Sequence, residues 1–399
     1  MAKVRGEGTI FKDSRGLWVA QVDLGHSPDG KRLRKRVSSK SRNEVIRKRR
    51  DLLRSIEANT LTTGRVPTVE QWLNHWVTTI APANVRPSTL RGYESTIRQH
   101  HIPHIGKRRL DKLTTDDVRF LHSQMERGGS KPSTVLRAHT ILSKALKDAV
   151  REGAVGFNIC DRMDRPKSRT EPRGAFSEAE ANAVLTTAQG DGIHWYSRWL
   201  AALKLGARQG ELLGLEWDRV DLQAGTIDLS WQLQEIPWQH GAGCGCKDLA
   251  KRAQTCPQRV PKVRPDFEIR PCFEGRWFTR PKTQAGVRLL PLPESLRVAL
   301  LQLWQEGPRN EYGLVWATAE GTPLRANEDR TAWLELCKRA GVRPLTLHAA
   351  RHTMVSLLLD EGVSPEVIRQ IAGHSSILST RNYMHVSLDQ ARSALGALG

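Results

Sequence analysis

The sequence predicts a multidomain protein: a small three-stranded β-sheet plus helix at the N-terminus, an all-α four-helix domain, and a mainly α (α+β) domain in the C-terminal half. Three observations carry this expectation. With 399 residues and 39% hydrophobic content, the chain holds more apolar material than one core normally organises. Its hydrophobic period changes along the chain, from short alternating runs to helical stripes near residue 66 and to a mixture after about 172. Two polar stretches bearing proline, 60–67 and 166–172, interrupt those patterns and read as linkers. The expected domains are therefore 1–62, 66–165 and 172–399.

In the first domain, Thr9-Ile10-Phe11, 17–23 and 32–37 read as short strands. Asp13-Ser14-Arg15-Gly16 and Ser27-Pro28-Asp29-Gly30 supply the turns between them. Ser41 followed by Glu44 is an N-cap signature opening a helix to about residue 58, with Arg47, Lys48, Arg49, Arg50 and Arg54 along it. In the second domain, Thr68 begins a helix with Trp72 and Trp76 four residues apart, and Pro87-Ser88 begins one with Leu90, Tyr93 and Ile97 on one face. Residues 114–127 and 133–152 complete the set. The stripe Val135, Leu142, Leu146, Ala149 on the last helix is explained by core packing.

In the third domain, Ser177 caps a helix to about Ala188, and 195–205 is an apolar helix leading into Gly206-Ala207-Arg208-Gln209-Gly210-Glu211. Residues 226–233 are strand-like. Residues 276–280 and 287–291 read as a hairpin whose turn holds Pro281-Lys282-Thr283.

Charge narrows the function classes. The chain carries a net +20 with pI near 10.1, and residues 1–60 alone hold 16 basic against 7 acidic side chains. A polyanionic partner follows, nucleic acid ahead of an anionic membrane. No apolar run approaches the roughly 20 residues of a membrane span, and the first ten residues lack the apolar core of a signal peptide. The expectation is a cytoplasmic, nucleoid-associated protein that makes no membrane contact. The basic helix run reads equally well as a solvated face. The adjoining strand with Arg32, Arg34, Lys35 and Arg36 tilts the module toward DNA.

Six polar residues near the C-terminus carry the chemistry: His348-x-x-Arg351, Ala372-Gly373-His374-Ser375 and Asn382-Tyr383. With Arg208 and Lys282 upstream they form an anion-binding, proton-transferring set around one phenol. Each member has a bland explanation when taken alone. Arg208 and Glu211 read as a surface ion pair on a helix, Lys282 as a solvated turn residue, His348 as a helix cap and Tyr383 as packing.

Together, the run 206–217, Pro281-Lys282-Thr283, His348-Ala-Ala-Arg351-His352-Thr353, Ala372-Gly373-His374-Ser375-Ser376 and Asn382-Tyr383-Met384-His385 resemble the ordered motifs of the tyrosine recombinases, in the phage and integrative-element integrase branch. Arg351 precedes His374 by 23 residues and His374 precedes Tyr383 by 9, as in that branch. The motifs cover about 176–390. The two domains before them are similar to the branch's arm-type DNA-binding and core-binding domains. Gln209 stands where the branch often has a second arginine and Ala372 where leucine is usual, which touches local packing only.

The resemblance implies a site-specific DNA recombinase that integrates a mobile element, and with a helper excises it, through a covalent 3′-phosphotyrosine. Two permanently charged guanidiniums, Arg208 and Arg351, suit the nonbridging oxygens of a phosphodiester gaining charge in its transition state. Tyr383, weak at the ordinary phenol pKa of about 10, needs that stabilisation and a base, which is His348. Lys282 protonates the departing 5′ oxygen, His374 hydrogen-bonds the scissile phosphate, and Glu211 orients its neighbours. Because the phosphotyrosine retains the bond energy, no cofactor and no catalytic metal are expected. The implied partners are double-stranded DNA attachment sites and a homotetramer on DNA, with an excision factor and a host DNA-bending protein as further candidates. Residues 387–398, with Leu388, Ala391, Ala394 and Leu395, read as a helix that docks on a neighbouring protomer or packs in cis.

Two other readings share the features: a DNA-binding architectural or regulatory protein without catalysis, and a topoisomerase of the strand-swivelling type. The filled catalytic positions disfavour the first, and the separate basic module disfavours the second.

One stretch departs from the pattern. Where a short turn is expected, about 236–275 is inserted, carrying His240, Cys244, Cys246, Cys256 and Cys272. Four thiols could close a zinc site, but Cys-x-Cys and the irregular gaps are unlike the usual two-residue spacing. The expectation is a loop with free cysteines, with zinc as the alternative.

Overall fold

The computed structural model describes residues 9–26, 32–57, 66–168, 174–246 and 253–373. The chain divides into two compact units, Met1–Thr170 and Glu171–Gly399.

The first unit begins with an antiparallel sheet of order β1-β2-β3, built from β1 (Thr9–Lys12), β2 (Trp18–His26) and β3 (Arg32–Ser39). Helix α1 (Arg42–Glu57) packs on β2 and β3, and Val45 and Leu52 are buried together with Ala20 and Val22. Glu44 accepts the Ser39 hydroxyl and pairs with Lys48 at 3.0 Å, which ties the helix start to the end of β3. Register pairs Gln21 with Arg36 and Ala20 with Val37, so Arg34 and Arg36 share the sheet face opposite Ala20 and Val22. Arg36 lies over the Phe11 ring at 5.6 Å.

The helical set comprises α2 (Val69–His75), α3 (Pro87–Thr96), the short α4 (Ile102–Ile105), α5 (Thr115–Arg127) and α6 (Pro132–Arg151). Thr68 and Thr114 close capping boxes with Gln71 and Asp117. The first two helices run on into π turns, Trp76–Ile80 and Ile97–His101, which keep Trp76 and Ile97 in the core. Both buried indoles donate to α6, Trp72 to the Ala145 carbonyl at 2.9 Å and Trp76 to Asp148 at 2.7 Å. These tryptophans serve packing, because each apolar ring is buried and each N–H is satisfied.

The second unit opens with α7 (Glu178–Gln189), capped by Ser177 and Glu180, then α8 (Ile193–Leu205) and the short α9 (Gln209–Leu213). Strands β4 (Val220–Asp221) and β5 (Thr226–Asp228) precede β6 (Gln232–Glu235). The insert contributes β7 (Trp238–His240), β8 (Arg259–Pro261) and β9 (Ile269–Phe273), and β10 (Arg276–Thr279) and β11 (Leu289–Pro291) follow. Helices α10 (Glu294–Glu306), α11 (Ala326–Arg339), α12 (His348–Asp360) and α13 (Pro365–Ala372) complete the unit. Its core gathers Trp199, Leu200, Leu212, Ile227, Leu300, Trp316 and Trp333. Among the described residues no helix is long and apolar enough to cross a membrane.

The expected hairpin of 276–280 with 287–291 is corrected by the sheet order. Strand β10 pairs with β6 and β9, whereas β11 pairs with β5. The segments β5 and β6 form one antiparallel arm against β11 and β10. Residues 280–288 bulge out of the second side, opposite the break 229–231. The physical reason is register: Leu229 donates to the Arg288 carbonyl at 2.9 Å and Gln232 to the Arg280 carbonyl at 3.1 Å, which pins both ends of the excursion. Lys282 therefore rides on a bulge in the side of a β arm rather than at a hairpin tip.

Candidate active site

Arg208 is the N-cap of α9, and its neighbour Glu211 is wholly buried. The Arg208 amide donates to Glu211 Oε2 at 2.8 Å and its Nη1 to Oε1 at 2.7 Å. On the other side, Arg288 donates to the same carboxylate at 3.2 and 2.9 Å. Although burial opposes its charge, the Arg288 and Arg208 guanidiniums hold the Glu211 carboxyl below its ordinary value. The pair read as a surface contact is thus an anchored carboxylate between two arginines, with Arg208 left 38% exposed.

The same arginines reach the C-terminal end of α13. Arg208 Nη2 donates to the Gly373 carbonyl at 2.9 Å, Arg288 Nε to Ile371 at 2.9 Å, and Arg351 Nη2 to Ala372. Three consecutive carbonyls that a helix end leaves without intrahelical donors are each taken by a guanidinium, at the negative pole of the helix dipole. Arg351 also donates to Gly206 at 2.7 Å, at the end of α8. Arg208 and Arg351 consequently stand side by side on adjacent carbonyls.

Two glycines make this approach possible. Gly206 and Gly373 both adopt positive φ, 55° and 65°. A Cβ on Gly206 would lie 2.3 Å from Met354 Cε, and one on Gly373 2.7 Å from the Ala285 carbonyl oxygen and 3.0 Å from Arg288 Nη1. The bulge carrying Lys282 borders the cluster directly. Arg288 Nη1 bonds the Gly286 carbonyl at 3.1 Å, and a Cβ on Gly286 would sit 3.6 Å from Arg208 Nη1. Lys282 itself is exposed.

His348 is exposed at the first position of α12, one turn before the buried Arg351, with its ring 4.7 Å from that of His352. Its i,i+3 relation to Arg351 puts both on one helix face. Gln209 donates to Asp329 at 2.8 Å, and Asp329 pairs at 2.7 Å with Arg198 in a fully buried ion pair. That amide therefore supports packing.

The structure thus brings Arg208, Glu211 and Arg351 into one cluster, with the Lys282 bulge beside it and His348 on the Arg351 helix. His374 and Tyr383 lie outside the described residues, as do Asn382 and the helix expected over 387–398. Sequence reasoning missed Arg288, the residue that ties Glu211, the bulge and α13 together. Its signal was available: Arg288 is in phase with the buried Leu290, whereas Val287 and Leu289 are exposed, so a charged residue stood on the core-facing side of a strand.

The insert residues separate into two groups. Cys272 lies on β9, partly buried against the core, and burial pushes its thiol up to about 11. His240, Cys244, Cys246 and Cys256 converge instead, with all four candidate ligand atoms within 4.8 Å of one another.

Comparison with known proteins follows the same division of the chain. Residues 272–389 match the phage integrase family and residues 68–125 the phage integrase N-terminal SAM-like domain. An integrase from Saccharopolyspora erythraea is 31% identical over 97% of this chain and 94% of its own length. The Tn1549 transposon integrase in complex with a circular intermediate DNA shares the fold with a TM-score of 0.66 at 23% identity, over 84% of this chain and all of that one. A lambda integrase tetramer bound to a Holliday junction gives a TM-score of 0.57 at 15% identity, over 97% of this chain and 99% of that one.

Proposed function

Because the chain belongs to the phage integrase family of tyrosine recombinases, we propose that it integrates a mobile element by cutting and rejoining DNA at an active site formed by Arg208, Lys282, His348, Arg351, His374 and Tyr383. The observation that carries this residue assignment is the placement of Arg208 and Arg351 on the adjacent carbonyls of Gly373 and Ala372, beside the Lys282 bulge. A guanidinium has five N–H donors, so Arg208, bonded once at each Nη and partly exposed, keeps donors for a nonbridging phosphate oxygen.

In the proposed reaction the Tyr383 phenol oxygen attacks the scissile phosphorus while His348 accepts its proton. A new phosphorus–oxygen bond forms to the tyrosine, the bond to the 5′ oxygen breaks, and Lys282 delivers a proton to that oxygen. Arg208 and Arg351 balance the charge that develops on the phosphate, and His374 adds a hydrogen bond. Glu211 and Arg288 never meet DNA in this scheme and act by holding Arg208. Religation reverses the steps with a different 5′ hydroxyl, conserving bond energy without ATP.

Exchange between two duplexes requires four tyrosines, which makes a homotetramer on double-stranded attachment sites the working form. Arg32, Arg34, Lys35 and Arg36 of β3 are assigned to a second DNA contact, supported by the exposed positions of Arg34 and Arg36 on the open sheet face. An excision factor and a host DNA-bending protein complete the proposed partners, and DNA occupancy would place the protein with the nucleoid. The decisive experiment traps covalent complexes on a nicked attachment-site substrate. Tyr383→Phe is expected to abolish the covalent species while retaining sequence-specific binding. Covalent complexes that persist in the variant would move the nucleophile to another residue.

A further inference from the structure

We propose that the insert between β6 and β10 is a zinc-binding module, in which His240 Nδ1 and the sulfurs of Cys244, Cys246 and Cys256 hold one Zn²⁺ as a structural Cys₃His site. The four ligand atoms all lie within 4.8 Å of one another, and Cys244 Sγ stands 3.4 Å from His240 Nδ1. A tetrahedral site with Zn–S near 2.3 Å and Zn–N near 2.0 Å requires roughly 3.8 Å between sulfurs and roughly 3.6 Å from sulfur to nitrogen. The cluster therefore stands within about an ångström of metal-binding separation throughout, and its Cys244–His240 sulfur–nitrogen pair already meets it. All four cysteines of the insert are free thiols, so cross-linking does not account for the convergence.

The local backbone is arranged for the same purpose. His240 ends β7, and a turn closed by the Cys244 amide on the Gly241 carbonyl at 3.3 Å brings Cys244 back beside it. Gly241 passes so close to the Gln258 carbonyl oxygen that a Cβ would lie 2.1 Å from it. Cys256 follows a single 3₁₀ turn, Ala253–Thr255, and is buried. Three thiolates and Zn²⁺ leave one negative charge, and register places Arg259 directly across from His240.

Energetics explains why a metal is needed here. Strands β7 and β8 have three residues each and, among the described residues, pair only with one another. Such a two-stranded ribbon is marginal in water, and apolar burial in so small a module cannot offset its ordering entropy. A structural zinc site supplies folding free energy outright. The sequence spacing obscured the site because His-x₃-Cys-x-Cys-x₉-Cys lacks the two-residue knuckle, while β7–β8 pairing closes the gap in space. The module abuts the arm carrying the Lys282 bulge: Trp238 of β7 meets Trp277 of β10 edge to face, with centroids 5.5 Å apart.

The test uses the full chain, purified under reducing conditions without a histidine tag. About one equivalent of zinc per chain is expected, released by a mercurial and counted with a chromogenic chelator. Co²⁺ replacement should give the visible bands of a tetrahedral thiolate site. Cys256→Ser and Cys246→Ser should each lose the metal and lower the melting temperature, whereas Cys272→Ser should retain both. Absence of stoichiometric zinc, together with failure of the reduced wild-type chain to bind Co²⁺, overturns the proposal. So does zinc that survives in the Cys246 and Cys256 variants. If those variants do not fold, the wild-type zinc count and Co²⁺ spectrum decide alone.

Discussion

Glu211 holds two arginines, Arg208 and Arg288, and its environment makes the consequence of changing it specific. The side chain is fully buried and accepts from both Arg208 and Arg288. Glu211→Gln keeps the shape but leaves two guanidiniums facing a neutral amide, and removing one partner from a buried ion pair costs about 3–5 kcal/mol. The variant is expected to melt at lower temperature and to cleave more slowly, read by thermal denaturation and single-turnover cleavage. A normal melting temperature with normal cleavage would show that the carboxylate positions nothing. Arg351→Ala removes a side chain that we assign to the phosphate. It should cost orders of magnitude in cleavage, and a near-normal rate would take Arg351 out of the phosphate clamp. Arg351, Arg208 and Glu211 were legible in the sequence because their spacing is local or ordered. Arg288 was not, because its role rests on two partners distant in sequence, Glu211 and the Ile371 carbonyl, and only its phase with Leu290 hinted at burial.

At the scale of elements, helices were read well where capping chemistry is local. Thr68, Thr114 and Ser177 each close a box with the residue three positions on. Strand pairing was read less well, since the partner of β11 is β5, some sixty residues upstream, and neither turn residues nor alternation encode that choice. The same limit hid the cysteine convergence in the insert. The end of α13 offers a test of element geometry. Gly373→Ala forces a Cβ into the left-handed region, at about 1 kcal/mol, and against the Ala285 carbonyl. Displacement of the α13 end from the three arginines should reduce cleavage while DNA binding by gel shift persists; unchanged cleavage would show that this junction tolerates movement. In the helical set, His101 is fully buried, donates to the Ala138 carbonyl at 3.0 Å, and is pushed down to about 4 by burial. The unfolded chain takes up a proton near pH 6.5 that the folded chain refuses until about pH 4. Stability is therefore retained above pH 6.5 and falls by about 3 kcal/mol as pH drops through that window. Denaturation midpoints against pH should show this slope, and His101→Gln should reduce it without abolishing it, because the buried His139 is likewise pushed down to about 4.

On the scale of the whole molecule, charge distribution separates the work of the N-terminal module from that of the catalytic residues. Residues 1–60 carry sixteen basic and seven acidic side chains, close to half of the net +20 in about a sixth of the chain. Phosphate contacts made by such a module add affinity that declines steeply with salt, because each neutralised phosphate releases counterions. None of the proposed catalytic residues lies within it. Deleting 1–62 is therefore expected to leave cleavage at the core site intact, to flatten the salt dependence of DNA binding, and to abolish bridging between distant sites, since a tethered second module acts through effective concentration. The measurements are suicide-substrate cleavage, binding across a salt series, and an integration assay with two-site DNA. Loss of core cleavage would mean that the module supports the active site, and unaffected integration would mean that a single contact suffices. The expected split, cleavage retained and integration lost, is what a protein that joins separate DNA sites requires and what a swivelling topoisomerase would not show.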